Sequence, residues 1–143
     1  MKICGIELKA NNTILTVCDV KDKNEIGDDI VDYIDLKIKK IVLEDDENQK
    51  NIQKYNQEVS SFINENNIEK IIIKKRAKKG NFSGGAVTFK MEAILQLNTY
   101  CDVELISGQA ISSYERKNEI NLPCNLKKYQ EQAFLAIITS LKK

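Results

Sequence analysis

The sequence predicts an α/β fold, a mixed five-stranded sheet with helices on both faces, and three observations carry that expectation. Strand-like segments fill the first third of the chain with no helix-period stretch between them. Beyond them, two helix-period stretches alternate with two short apolar runs. A last helical pattern closes the chain, and its centre, AFLAII, is apolar nearly all round. Helix-free neighbours most simply form an antiparallel meander, whereas strands joined through a helix run parallel by a right-handed crossover. The expected strand order is 3-2-1-4-5, with the fourth strand beside the first.

Residues 2–10, KICGIELKA, and 13–20, TILTVCDV, are the first two strands, and Asn11-Asn12 between them tolerates the positive φ of a tight turn. A turn closed by residues 10 and 13 sets Glu7 opposite Thr16. Cys4, Ile6 and Leu8 share one face of the first strand; Ile3, Gly5, Glu7 and Lys9 share the other. Glu7 is an unusual residue there, because a half-buried carboxylate needs a partner. Residues 21–32, KDKNEIGDDIVD, read as a polar loop. Its acids, with Asp35 beyond, miss the EF-hand pattern and read as solvated surface. A third strand follows over about 34–43, its alternation broken near Lys39-Lys40 by a bulge.

Glu44-Asp45-Asp46-Glu47 opens the first helix, where acids suit the dipole. Ile52, Tyr55, Val59, Phe62 and Ile63 mark its buried stripe, and Asn66-Asn67 ends it. The fourth strand runs from about 69 to 75. The second helix carries Val87, Met91, Ile94, Leu95 and Asn98 on one face and ends near Tyr100. Residues 102–107 are the fifth strand, and 108–124 connect onward with a short helix over 110–116. Asn125 is the candidate N-cap of the last helix.

At 143 residues the chain is expected to be one domain, 1–143, and 42% hydrophobic with 30% charged residues marks a soluble globular protein. No apolar run approaches the roughly 20 residues that span a bilayer. The start, MKICGIELK, lacks the apolar region of a signal peptide, so a cytoplasmic location with no membrane contact is expected. Cys4, Cys18, Cys101 and Cys124 form no CxxC pair and there is no histidine, which argues against structural zinc and leaves the thiols as reduced small hydrophobes. Without histidine there is no Ser-His or Cys-His dyad, so any chemistry rests on carboxylates, lysines or a metal.

The net charge is only +1, yet positive charge is concentrated. After Ile71-Ile72-Ile73, five cations stand within six residues: Lys74, Lys75, Arg76, Lys78 and Lys79. The ends of strands in helix-covered sheets are where ligands bind. A cation cluster there suits phosphate-backbone contact through counterion release; the competing reading is a solvated loop. Ser83, Gly84 and Gly85 add backbone N–H groups at a helix start, which suits an anion. Phe82 stacks on a base or anchors the loop.

Three segments carry a resemblance: CGIELK, the stretch from the basic strand end through the helix to VELIS, and YQEQAFLAII. With the element order, they resemble the RNase H-like superfamily, and within it the RuvC-like Holliday-junction resolvases. KKRAKKG, FSGGA and ELIS also look like domain-of-unknown-function family 3010. The superfamily's nucleases hold divalent metal with an acid cluster. Glu7 matches the first-strand acid. The fourth-strand position holds Ile73 and Lys74, and the last-helix acid falls on Ala133, with Glu131 nearby. Two of three expected carboxylates are therefore missing. The resemblance implies an RNase H-like domain without its metal or cofactor.

The primary expectation is a domain that binds structured DNA or RNA through the basic fourth-strand loop, beside a degenerate nuclease site. One alternative is a metal-dependent nuclease with a rearranged site of Glu7 and Glu131 that uses Mg²⁺. The other is a non-catalytic protein–protein adaptor, with a homodimer as one form, whose basic loop meets an acidic partner.

Overall fold

The computed structural model describes residues 1–23, 29–77 and 85–142. Among these, six strands form one mixed sheet: β1 (Lys2–Lys9), β2 (Asn12–Lys23), β3 (Asp29–Ile34), β4 (Lys40–Val42), β5 (Lys70–Lys74) and β6 (Asp102–Ile106). Four helices cover it: α1 (Gln49–Glu65), α2 (Ala86–Leu97), α3 (Gly108–Lys117) and α4 (Glu131–Leu141). The order is β3-β2-β1-β5-β6, with β4 also paired to β2. Pairs from β1 to β4 are antiparallel, and β1, β5 and β6 run parallel. The expected arrangement therefore holds, with one strand more than expected.

The extra strand corrects the reading of residues 21–43. What looked like a polar loop is a hairpin: β2 runs on to Lys23 and β3 begins at Asp29. Its solvated position at the sheet edge accounts for the polar sequence, and Lys21 Nζ pairs with Asp32 Oδ2 across the strands at 2.9 Å. The expected third strand is interrupted at residues 35–39, which leave the sheet before β4 rejoins β2.

The first turn also differs. It closes between Lys9 and Asn12, with Ala10 at φ 52, so Glu7 faces Ile14 and not Thr16. A two-residue slip keeps every side chain on its own face, so alternation alone does not choose between the registers. The acids 44–47 lie before α1, whose N-cap is Asn48, with Oδ1 accepting from the Asn51 N–H at 3.1 Å. Asn66 and Asn67 do end α1, the second in the left-handed region at φ 54. Helix α2 stops at Leu97, short of Tyr100. Asn125 caps nothing: a 3₁₀ turn, Lys128–Gln130, intervenes, and α4 starts at Glu131.

Alternation sorts the core into two layers. Cys4, Ile6 and Leu8 of β1, with Leu15, Val17, Ile71 and Ile73, pack against the α1 stripe and Met91 and Leu95 of α2. Ile3, Cys18, Ile72 and Ile106 meet Ile111 of α3 and Phe134 to Ile137 of α4. Strand β5 feeds both layers, which is why its sequence is an unbroken apolar run. Burial pushes the Cys18 thiol up to about 12 and the Cys4 thiol up as well, so neither is a reactive thiolate.

Where 35–39 leave the sheet, Leu15 needs partners on that side. Its N–H donates to the Lys39 carbonyl at 2.9 Å, and its carbonyl accepts from Gln130 Nε2 at 2.9 Å. Gln130 is buried; its Oε1 accepts from the Lys127 N–H at 3.0 Å and lies 3.2 Å from the Tyr33 hydroxyl. One amide thus pins the turn before α4 to the middle of the sheet. Gln130→Met keeps the volume and strands these groups. It is expected to cost about 2–3 kcal/mol, read from the urea midpoint, since each orphaned buried group costs roughly 1–3 kcal/mol.

Candidate functional site

Strands β1, β5 and β6 are parallel, so their C-terminal ends meet at one edge of the sheet. Glu7 stands near the end of β1, Lys74 closes β5, and Ser107 follows β6. The strand register sets Glu7 directly beside Lys74. Lys74 Nζ lies 3.8 Å from Glu7 Oε2 and donates to Gln132 Oε1 of α4 at 2.8 Å. Both charged side chains are largely shielded, Glu7 at 13% exposure and Lys74 at 22%. Glu7 therefore has the partner that its strand position demands, and that partner is an ammonium group.

Two depressions meet at this pair. One, of about 490 Å³, is lined by Glu7, Glu131 and Gln132 together with Lys9, Lys128 and Tyr129. The two candidate catalytic acids thus share one hollow. The other, of about 410 Å³, is lined by Lys74, Lys75 and Arg76 and by Ser107, Gly108 and Gln109 at the start of α3. Among the described residues that line it there are three cations and no acid. Lys75 is exposed and Arg76 half-buried, with its Nε shielded from solvent and without a hydrogen-bond partner among the described residues. Ser107 caps α3, its Oγ accepting from the Ala110 N–H at 3.0 Å. Gly108 lies beside the Lys74 stem, where an added Cβ would make ordinary contact at 3.4 Å from Lys74 Cε. A cationic cleft at a helix start is suited to phosphate oxygens.

Of the predicted anion-binding residues, Lys74, Lys75 and Arg76 line this cleft. Lys78, Lys79, Ser83 and Gly84 lie outside the described residues, as does Phe82. Gly85 precedes α2 at φ −73, an ordinary conformation, and its carbonyl accepts from Thr88. A solvated loop would have most of these cations project into water. Lys74 departs from that, because its head is turned onto Glu7 and Gln132. Sequence reasoning missed Gln132, Tyr129, Lys128 and Lys9. The usable signal for the Glu7–Lys74 contact was register, since Ile6-Glu7 and Ile73-Lys74 stand at the same level of adjacent strands.

The donor set does not fit a divalent metal. Among the described residues, no three of His, Cys, Asp and Glu come together. Mg²⁺ needs several well-placed oxygens, and Lys74 already sets a positive charge beside Glu7. The Ala133 position on α4 is fully buried against the sheet and has no oxygen to offer from its side chain.

The sequence pattern of the family described as "Protein of unknown function (DUF3010)" matches residues 1–139. No curated protein matches the chain. Among solved structures, the chain is similar to RuvC from Thermus thermophilus, with a TM-score of 0.64 at 10% identity over 98% of this chain and 92% of that one. It is similar to T. thermophilus RuvC in complex with a Holliday junction substrate at a TM-score of 0.58 and 9% identity, over 98% and 91% of the two chains. The yeast mitochondrial Holliday junction resolvase Ydc2 aligns at a TM-score of 0.52 and 16% identity, over 98% of this chain and 62% of that one. At these identities the likeness shows the fold alone, which is RuvC-like. No helix among the described residues is long and apolar enough to cross a membrane.

Proposed function

The chain belongs to the DUF3010 family and has a RuvC-like fold, and on that premise we propose that it binds structured nucleic acid through the basic edge at the end of β5, with little or no nuclease activity. The observation that carries the reading is the cationic cleft of Lys74, Lys75 and Arg76 at the C-terminal edge of the parallel strands. Charge gathered at such an edge meets phosphates and releases their counterions. The T. thermophilus RuvC in the complex cited above is bound to a Holliday junction substrate, which supports a branched nucleic acid as the ligand to try first. The protein is taken to act in the cytoplasm, free of membrane.

The nuclease half of the proposal rests on the Glu7–Lys74–Gln132 contact. A dication would have to enter beside an ammonium, with one shielded carboxylate and the offset Glu131 as its ligands. A four-way DNA junction incubated with the protein and Mg²⁺ or Mn²⁺ is expected to be bound and left intact, and calorimetric titration with Mn²⁺ alone to show no saturable site. Cleavage, or a saturable Mn²⁺ site lost in Glu7→Ala, would contradict this and restore the metal-dependent nuclease alternative.

A further inference from the structure

We propose that Tyr129 is a stacking platform for an unpaired base, so that the hollow holding Glu7 takes one nucleobase of a single strand whose phosphates lie in the neighbouring cationic cleft. This deepens the nucleic-acid reading and rests on it. Tyr129 is 39% exposed, yet it sits on a turn that is fixed. Buried Gln130, the next residue, ties that turn to Leu15 and Lys127 through its side chain, and its own carbonyl lies 3.4 Å from Thr16 Oγ1. Lys40 Nζ stands 4.1 Å from the centroid of the Tyr129 ring, which holds the ring by a cation–π contact. The ring also lines the hollow that contains Glu7, Lys9 and Gln132. A preorganised exposed ring costs little entropy to use, which is what a base platform needs.

The surroundings suit a nucleotide better than a purely apolar ligand. Lys9 and Lys128 border the hollow and offset the charge of its two carboxylates, Glu7 and Glu131. Gln132 Oε1 is taken by Lys74, which leaves the amide NH₂ to donate to acceptors on a base edge. Lys74 links the two depressions, because it lines the cationic cleft and pairs with Glu7, which lines the hollow. A strand crossing this divide sets a phosphate on the Lys75 and Arg76 side and the adjoining base on the Tyr129 side. A base paired within a duplex cannot reach the ring, so the platform selects unpaired nucleotides, as at an end or branch.

The test uses the full chain and two probes: a single-stranded DNA carrying one 2-aminopurine, and the same sequence as a blunt duplex. Stacking on Tyr129 is expected to quench the 2-aminopurine of the single strand on binding. Tyr129→Ala is expected to abolish that quench and to weaken single-strand binding roughly five- to hundredfold, as base–aromatic stacking allows, with duplex affinity unchanged. Tyr129→Phe should keep both. Equal single-strand affinity and a persistent quench in a Tyr129→Ala protein with an unaltered melting temperature would overturn the platform while leaving duplex binding, and the proposed function, standing. Failure of the wild-type protein to bind either probe at low salt would overturn both.

Discussion

Gly5→Ala is expected to destabilise the protein by about 3 kcal/mol or more, at the top of the usual range for overpacking, and to lower its melting temperature by roughly 10 °C. Glycine inside a strand is normally a weakness, and replacing it with alanine normally helps. Here the sign reverses because α4 lies directly on β1. A Cβ at Gly5 would fall inside van der Waals contact of the Ala133 carbonyl oxygen and 2.8 Å from Ile137 Cγ1. The first obstacle is helix backbone, so relief requires α4 to move as a body. Ala133, Ala136 and Ile137 are fully buried, which leaves it no free direction. The consequence reaches the site, since α4 carries Gln132 to within 2.8 Å of Lys74. Urea unfolding monitored by circular dichroism measures the effect. A Gly5→Ala protein as stable as the parent would show that the α4–β1 approach is not this tight.

The second large effect concerns binding. Changing Lys75, Arg76, Lys78 and Lys79 together to alanine is expected to leave the fold intact and to cut affinity for a DNA junction. Exposed substitutions such as Lys75→Ala cost little, usually under about 0.5 kcal/mol. Each phosphate contact carries roughly 0.9 units of log–log salt slope, so losing two to four contacts weakens binding about thirtyfold to a thousandfold at 0.15 M salt. Fluorescence anisotropy with a labelled junction reads this directly. A folded quadruple variant with wild-type affinity would move the adaptor alternative to first place.

How far the sequence alone carried these conclusions depends on the element. The parallel half of the sheet followed from helix-linked apolar runs, and β5 beside β1 was expected before any coordinates. The edge hairpin was missed because charged residues crowd it, Lys21, Asp22 and Lys23 at the end of β2 and Asp29 and Asp32 in β3, so hydrophobic alternation was faint there. The break at 35–39 was noticed but read as a bulge within one strand, since nothing local announces that Gln130, 115 residues away from Leu15, completes the bonding. The end of α1 was readable at Asn66-Asn67, whereas Asn125 merely resembles a cap, and the Ser107 cap of α3 was not read.

For the site, Glu7 and Glu131 were found from type and position, and they do line one hollow. Lys74 was assigned to solvent because its neighbours in sequence are cations. Only the strand register and the approach of α4 show that its head is drawn inward. Tyr129 stands at helical spacing from Ala133, so the sequence alone groups it with the last helix. The 3₁₀ turn rotates it out of that stripe and into the open.

The central claim is that the basic strand end meets nucleic-acid phosphates, and the most direct test is the salt dependence of wild-type binding to a labelled four-way junction. A plot of log affinity against log salt is expected to be linear with a slope of roughly −2 to −4, the signature of a few phosphate contacts. Absence of binding at low salt, or a slope near zero, would contradict it.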